Sequence, residues 1–187
     1  MLLPLFAVAA SVSAIVAVAS RRPDAFHYSR SVVISAPAER IFSRVANFRA
    51  WTDWSPYEEY DRAMKKSYSG EDGALGSGYA WEGNGKVGAG TMRINTLEAP
   101  SRVEIALAFE RPFKANNVAE FLFEPTPEGT KVTWSMRGKN PFFSKMMGLF
   151  VDMDKLVAGD FQRGLNALKA LAEASWSTEG AFRPKCS

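Results

Sequence analysis

Cysteine and histidine are almost absent from this sequence, with one of each in 187 residues. Cys186 stands next to the C-terminus, so no internal disulfide can form, and a thiol there has no evident group to activate it. His27 is the sole imidazole, which argues against a Ser-His-Asp triad, a Cys-His pair within the domain and a His-rich metal site. No catalytic residue, metal site or cofactor is expected. Runs of basic residues are missing too. The 23 Lys and Arg against 20 Asp and Glu leave +3, and no basic cluster exceeds the pairs Arg21-Arg22 and Lys65-Lys66. That thin spread weighs against nucleic acid as a partner.

A composition of 47% hydrophobic and 23% charged residues suits one folded domain with an appendage. The appendage is the one long uncharged run, Leu2 to Ala19, which as a helix would rise roughly 27 Å, about the thickness of a bilayer's apolar core. Arg21 and Arg22 follow it at once. The expectation is therefore a single-pass membrane helix with the C-terminal domain in the cytoplasm. A cleaved signal peptide ending at Ala17-Val18-Ala19, with export of the rest, is the competing reading. The expected divisions are an anchor or signal over 1–20, a linker over 21–27, a domain over 28–175 and a flexible tail over 176–187.

The domain begins with an alternating strand, His27 to Ser35, followed by a helix start at Ser35-Ala36-Pro37. The Trp-rich stretch Asn47 to Tyr60 cannot be one helix, because Pro56 interrupts it. From Lys65 onward the pattern is that of antiparallel strands: Gly78 to Glu82, Lys86 to Ala99, Arg102 to Glu110, Asn116 to Thr126 and Thr130 to Lys139. Gly83-Asn84-Gly85 reads as a hairpin turn with residues at positive φ. The same letters satisfy G-x-G-x-x-G, but no helix follows, so a dinucleotide site is rejected. Alternation puts Val103, Ile105, Leu107 and Phe109 on one face, with Phe121, Phe123, Val132, Trp134 and Met136 on the faces of their own strands that match it.

That face needs a cover, and the last long stretch supplies it. Met153, Val157, Phe161, Leu165, Leu168 and Ala172 recur at helical spacing over Asp152 to Ala174. Just before it, Phe142, Phe143, Met146, Met147 and Phe150 crowd large, adaptable side chains together, and they are expected to gate the space between sheet and helix.

The blocks RSVVISAPAERIF, WTDWSPYE, GYAWEGNGKVGAGTM, FERPF, GTKVTWSM and MDKLVAGDFQRGLNALKALAE, taken in order from Arg30 to Glu173, resemble the SRPBCC superfamily (START-like, polyketide cyclase/dehydrase type). The resemblance implies an α+β helix-grip fold: a curved antiparallel sheet of about seven strands around a long C-terminal helix, with an apolar cavity between them. It carries no catalytic motif that transfers residue by residue. The favoured reading is a non-enzymatic, membrane-tethered protein that binds or transports a hydrophobic small molecule or lipid. Tyr79, Trp81, Phe109, Phe121, Trp134, Phe150 and Met153 would line its cavity, and Arg30 and Asn117 would supply polar contacts. A polyketide cyclase or dehydratase is one alternative. The other is a ligand-free interaction module that presents an exposed aromatic segment around Trp51, Trp54 and Tyr57; its protein partner is unknown.

Overall fold

The computed structural model describes residues 16–149 and 151–180. Seven strands form one antiparallel sheet: β1 (Ala25–Ile34), β2 (Lys65–Ser69), β3 (Gly78–Glu82), β4 (Ala89–Glu98), β5 (Arg102–Arg111), β6 (Ala115–Thr126) and β7 (Gly129–Lys139). Their spatial order is β1-β7-β6-β5-β4-β3-β2, so each strand from β2 to β7 pairs with its neighbour in sequence and β1 returns to close against β7. The described residues include the α-helices α1 (Ala38–Ala46), α2 (Pro56–Tyr60), α3 (Phe142–Met147) and the long α4 (Met153–Gly180). A 3-10 helix, Phe48–Asp53, separates α1 from α2. This is the α+β helix-grip architecture expected from the sequence, and α4 continues to Gly180 rather than ending at Ala174.

Among the described residues, no helix is long and apolar enough to cross a membrane. The single-pass membrane location is corrected on that ground: α4 is long but carries charged residues on its outer faces, and α3 is one short turn pair. Residues 1–15 of the expected anchor, like residues 181–187 of the expected tail, lie outside the described residues.

The alternation along the strands decides which face is buried. Val103, Ile105 and Leu107 on β5, Phe121 and Phe123 on β6 and Val132 and Trp134 on β7 all point to the concave side and are buried. The outer side carries charge: Arg102 reaches Glu98, Glu104 and Glu120, and Arg137 reaches Glu104. α4 lies along β1 in the same direction. Its Asp154 accepts from Arg30 at 3.2 Å, its Lys169 donates to the Val33 carbonyl at 2.9 Å, and its Glu173 accepts from the Ser35 amide at 2.8 Å. α2 is tied to α4 by Asp160, whose Oδ1 accepts the Tyr60 hydroxyl at 2.9 Å and the Arg163 guanidinium at 2.6 Å.

The centre of the grip is filled by rings. Trp134 stacks on Phe161 of α4 with centroids 4.3 Å apart and on Phe121 at 4.9 Å. Trp51 and Trp54 meet the same group edge-on, at 5.7 to 6.1 Å from Trp134 and Phe121. The Trp51 indole donates to the Val45 carbonyl at 2.8 Å. Those of Trp54 and Trp134 are buried with no acceptor among the described residues, so packing holds these two rings in place. The exposed aromatic segment that the ligand-free alternative places around Trp51 and Trp54 is thereby corrected. The 3-10 helix turns both indoles inward, leaving Trp51 6% and Trp54 2% exposed.

The hairpin between β3 and β4 also differs from expectation. β4 begins at Ala89 rather than Lys86, and the positive φ, +66°, belongs to Gly88 rather than to Gly83 or Gly85. Asn84 anchors the loop instead: its amide donates to Asp61 at 2.7 Å and its side chain to the Tyr60 carbonyl at 3.0 Å.

Candidate functional site

An open groove of about 1260 Å³ lies where β1 starts, β7 ends, the β5–β6 connection turns and α4 begins. This exceeds the roughly 300–1,000 Å³ of ordinary small-molecule sites. Its apolar wall is built from Phe26 and Tyr28 of β1, Phe109 of β5, Met136 of β7, and Met153 and Val157 of α4. Phe26 and Tyr28 stack at 4.9 Å. Gly138 on β7 makes room for this wall, since a Cβ there would stand 2.1 Å from Asn117 Oδ1 and 2.9 Å from Phe26 Cε1. The opposite lip includes Asn140, Pro141, Ser144, Gly148, Leu149 and Val151.

Three of the residues expected to line a cavity stand here: Phe109, Met153 and Asn117. Asn117 points its amide at the Met136 sulfur, 4.0 Å away. Arg30 lies next to the groove but is engaged elsewhere, donating to the Ser29 carbonyl at 2.7 Å and to Asp154. Phe121 and Trp134 belong to the packed centre. Tyr79 and Trp81 form a second aromatic row, stacked at 6.0 Å, and Trp81 meets Phe109 edge-on at 5.7 Å. That row joins the groove wall to the far side of the grip, where Lys66 of β2 pairs with Glu58 of α2. Burial, and then the nearby Glu58 and Tyr68, raise the Tyr79 phenol above its ordinary value, so it stays neutral. Phe150 lies outside the described residues. Of the other residues expected to act as a gate, Phe142 and Met147 are exposed and Met146 is half-buried.

Met136 and Val157 were each legible as inward-facing, but nothing in alternation says how far along a strand the open space falls. The direction of α4 relative to β1 does say so. Burial, and then the charge of Asp154, push the Tyr28 phenol up, while Arg22 pulls the other way. Tyr28 is therefore a neutral hydrogen-bond donor on the groove wall at neutral pH. No group of three or more potential metal ligands occurs among the described residues.

The lip is pinned to the chain preceding β1. The Lys145 side chain is buried and donates to Asp24, while the Asn140 amide donates to the Asp24 carbonyl at 2.7 Å and its side chain to the Pro23 carbonyl at 3.1 Å. The Lys145 hydrogen bond, and then its charge, hold the Asp24 carboxyl below its ordinary value. A carboxyl lowered in the folded chain contributes above its unfolded value and loses that contribution as pH falls through the folded one. Asp24→Asn reproduces the loss at neutral pH. Amide hydrogen exchange across α3 is expected to accelerate in that variant while exchange in β5 to β7 stays unchanged, and equal protection of α3 in both proteins would count against the pin.

A sheet gripping one long helix, with an apolar groove at the helix's start, defines a helix-grip protein of the hydrophobic-ligand-binding kind. The chain belongs to the family described as polyketide cyclase / dehydrase and lipid transport, whose model matches residues 25–173. Solved structures share the fold at low identity. Protein CV1439 from Chromobacterium violaceum is 16% identical with a TM-score of 0.55, covering 81% of this chain and 99% of its own. The Aha1 dimer from Colwellia psychrerythraea is 16% identical with a TM-score of 0.57, covering 79% and 96%. The di-domain ARO/CYC StfQ of the steffimycin biosynthetic pathway is 10% identical with a TM-score of 0.62, covering 84% of this chain and 54% of that one. A search of curated proteins returns no match.

Proposed function

We propose that this protein binds a hydrophobic small molecule or lipid in the groove between the sheet and the start of α4. The observation that carries this reading is the groove's size together with its wall of Phe26, Tyr28, Phe109, Met136, Met153 and Val157. Apolar side chains left beside open space gain from any ligand that removes them from water, at about 25 cal/mol per Å². In this reading Phe109, Met153 and Asn117 touch ligand, and Trp81 and Tyr79 back the wall. Phe121 and Trp134 act through the rigidity of the centre.

Nile red, a neutral apolar dye, tests it with the full-length chain. Saturable binding is expected, and Val157→Glu, which places a charge in the wall, is expected to weaken that binding at least about tenfold with little change in thermal midpoint. Dye binding that is absent, or indifferent to Val157→Glu, would overturn the proposal.

A second reading, an enzyme of the cyclase or dehydratase kind, draws support from the family description and from the ARO/CYC protein StfQ of similar fold. The neutral Tyr28 phenol beside the Arg30–Asp154 pair is the group in the groove suited to polarising a ligand carbonyl. Catalysed cyclisation of a poly-ketone by the protein, lost in Tyr28→Phe while dye binding persists, would favour that reading over simple binding.

A further inference from the structure

The charges around the groove are unevenly paired. Arg22, Lys114 and Lys139 line it, as do Glu110, Asp152 and Asp154. Two of the three carboxylates are already occupied. Asp154 accepts from Arg30 at 3.2 Å, and Asp152 pairs with Lys155 at 3.6 Å and accepts from its backbone amide at 3.1 Å. Arg22, Lys114 and Lys139 have no carboxylate partner among the described residues, leaving three cations against Glu110.

Their placement in the fold brings them to one mouth. Lys139 ends β7 opposite Ala25, the first residue of β1, and Arg22 precedes that residue by one turn of chain. Lys114 immediately precedes β6, whose Asn117 pairs with Gly138. Adjacent strands lie about 5 Å apart, so the ends of β6, β7 and β1 deliver these three side chains to the same rim. The Arg22 guanidinium reaches over the lip, since a Cβ at Gly148 would stand 2.7 Å from its Nη1. Lysine stems can lie along apolar surface while their ammonium groups stay in water, which suits a rim above an apolar wall.

We infer that the groove takes an elongated apolar molecule bearing one anionic group, with the anion at Arg22, Lys114 and Lys139 and the apolar body against Phe109, Met136 and Val157. This rests on the binding proposal above and adds the ligand's polarity and its orientation. Long-chain carboxylates are the simplest members of the class. Because the cations sit at a solvated rim, their attraction is screened by salt, whereas the apolar contribution is not.

Displacement of Nile red from the full-length protein by dodecanoate and by dodecanol separates the two contributions. At low salt dodecanoate is expected to act at a concentration about tenfold below that of dodecanol, with the advantage shrinking in high salt. The double substitution Lys114→Gln/Lys139→Gln alters only exposed side chains and is expected to abolish the advantage while leaving dodecanol unaffected. Equal potency of acid and alcohol, or an advantage that survives the double substitution, would overturn the inference and leave apolar binding standing. Dye binding with no displacement by either compound would overturn both.

Discussion

Replacing Trp134 with alanine is expected to lower the unfolding free energy by about 3–5 kcal/mol, the cost typical of deleting a buried large aromatic side chain. Trp134 is 3% exposed and is held between Phe121 and Phe161, with Trp51 and Trp54 against its edges. Gly164 of α4 presses against it too, since a Cβ there would stand 2.8 Å from the indole. So many rigid neighbours leave little freedom to collapse into the space, which puts the loss high in that range. A void walled by aromatic rings stays dry and accepts a ligand of matching shape. Added indole is therefore expected to recover part of the lost stability in Trp134→Ala and to do nothing for the parent, as mass action requires. Chemical denaturation with and without indole measures both effects. A loss below about 1 kcal/mol would mean the centre is not packed as described.

The second large effect is expected at Gly88. Its φ of +66° suits glycine, and a Cβ there would meet the Arg111 carbonyl oxygen at 2.2 Å, a backbone atom that cannot swing aside. Gly88→Ala combines the left-handed penalty with a forced shift of the end of β5, and a cost of about 2–3 kcal/mol follows. Gly85 is the control. It lies in the same GNGKVG stretch, has no positive φ, and a Cβ there meets nothing within 4 Å, so Gly85→Ala is expected to be close to neutral. Thermal midpoints of the two variants should separate clearly. Similar midpoints would contradict the loop geometry.

That stretch also shows how far reading the letters goes. Glycine-rich spacing identified a turn between two strands, but which glycine bears the left-handed backbone depends on where β5 passes, a contact between residues far apart in sequence. The same limit applies to the site. Alternation along β5, β6 and β7 sorted inward from outward residues correctly because a half-buried antiparallel sheet enforces it. It could not distinguish Trp134, deep in the packing, from Met136, two residues further on and beside the groove. That distinction comes from the ring cluster and from the direction of α4. Exposure of Trp51 and Trp54, which the interaction-module alternative needs, is excluded by their burial. A 3-10 turn brought both indoles to one side. The cations of the rim had no signal of their own, since Arg22, Lys114 and Lys139 come from three separate parts of the chain.

Along α4, residues Met153 and Val157 border the groove, while Phe161, Leu165 and Leu168 hold the fold together. In the proposed binding role one helix carries two jobs on successive turns, and Val157, which borders the groove and packs against the core, stands where they meet. Under that proposal, substitutions at the exposed rim alter what the groove accepts without touching the rings beneath. Selection on the guest and selection on folding then act on different residues.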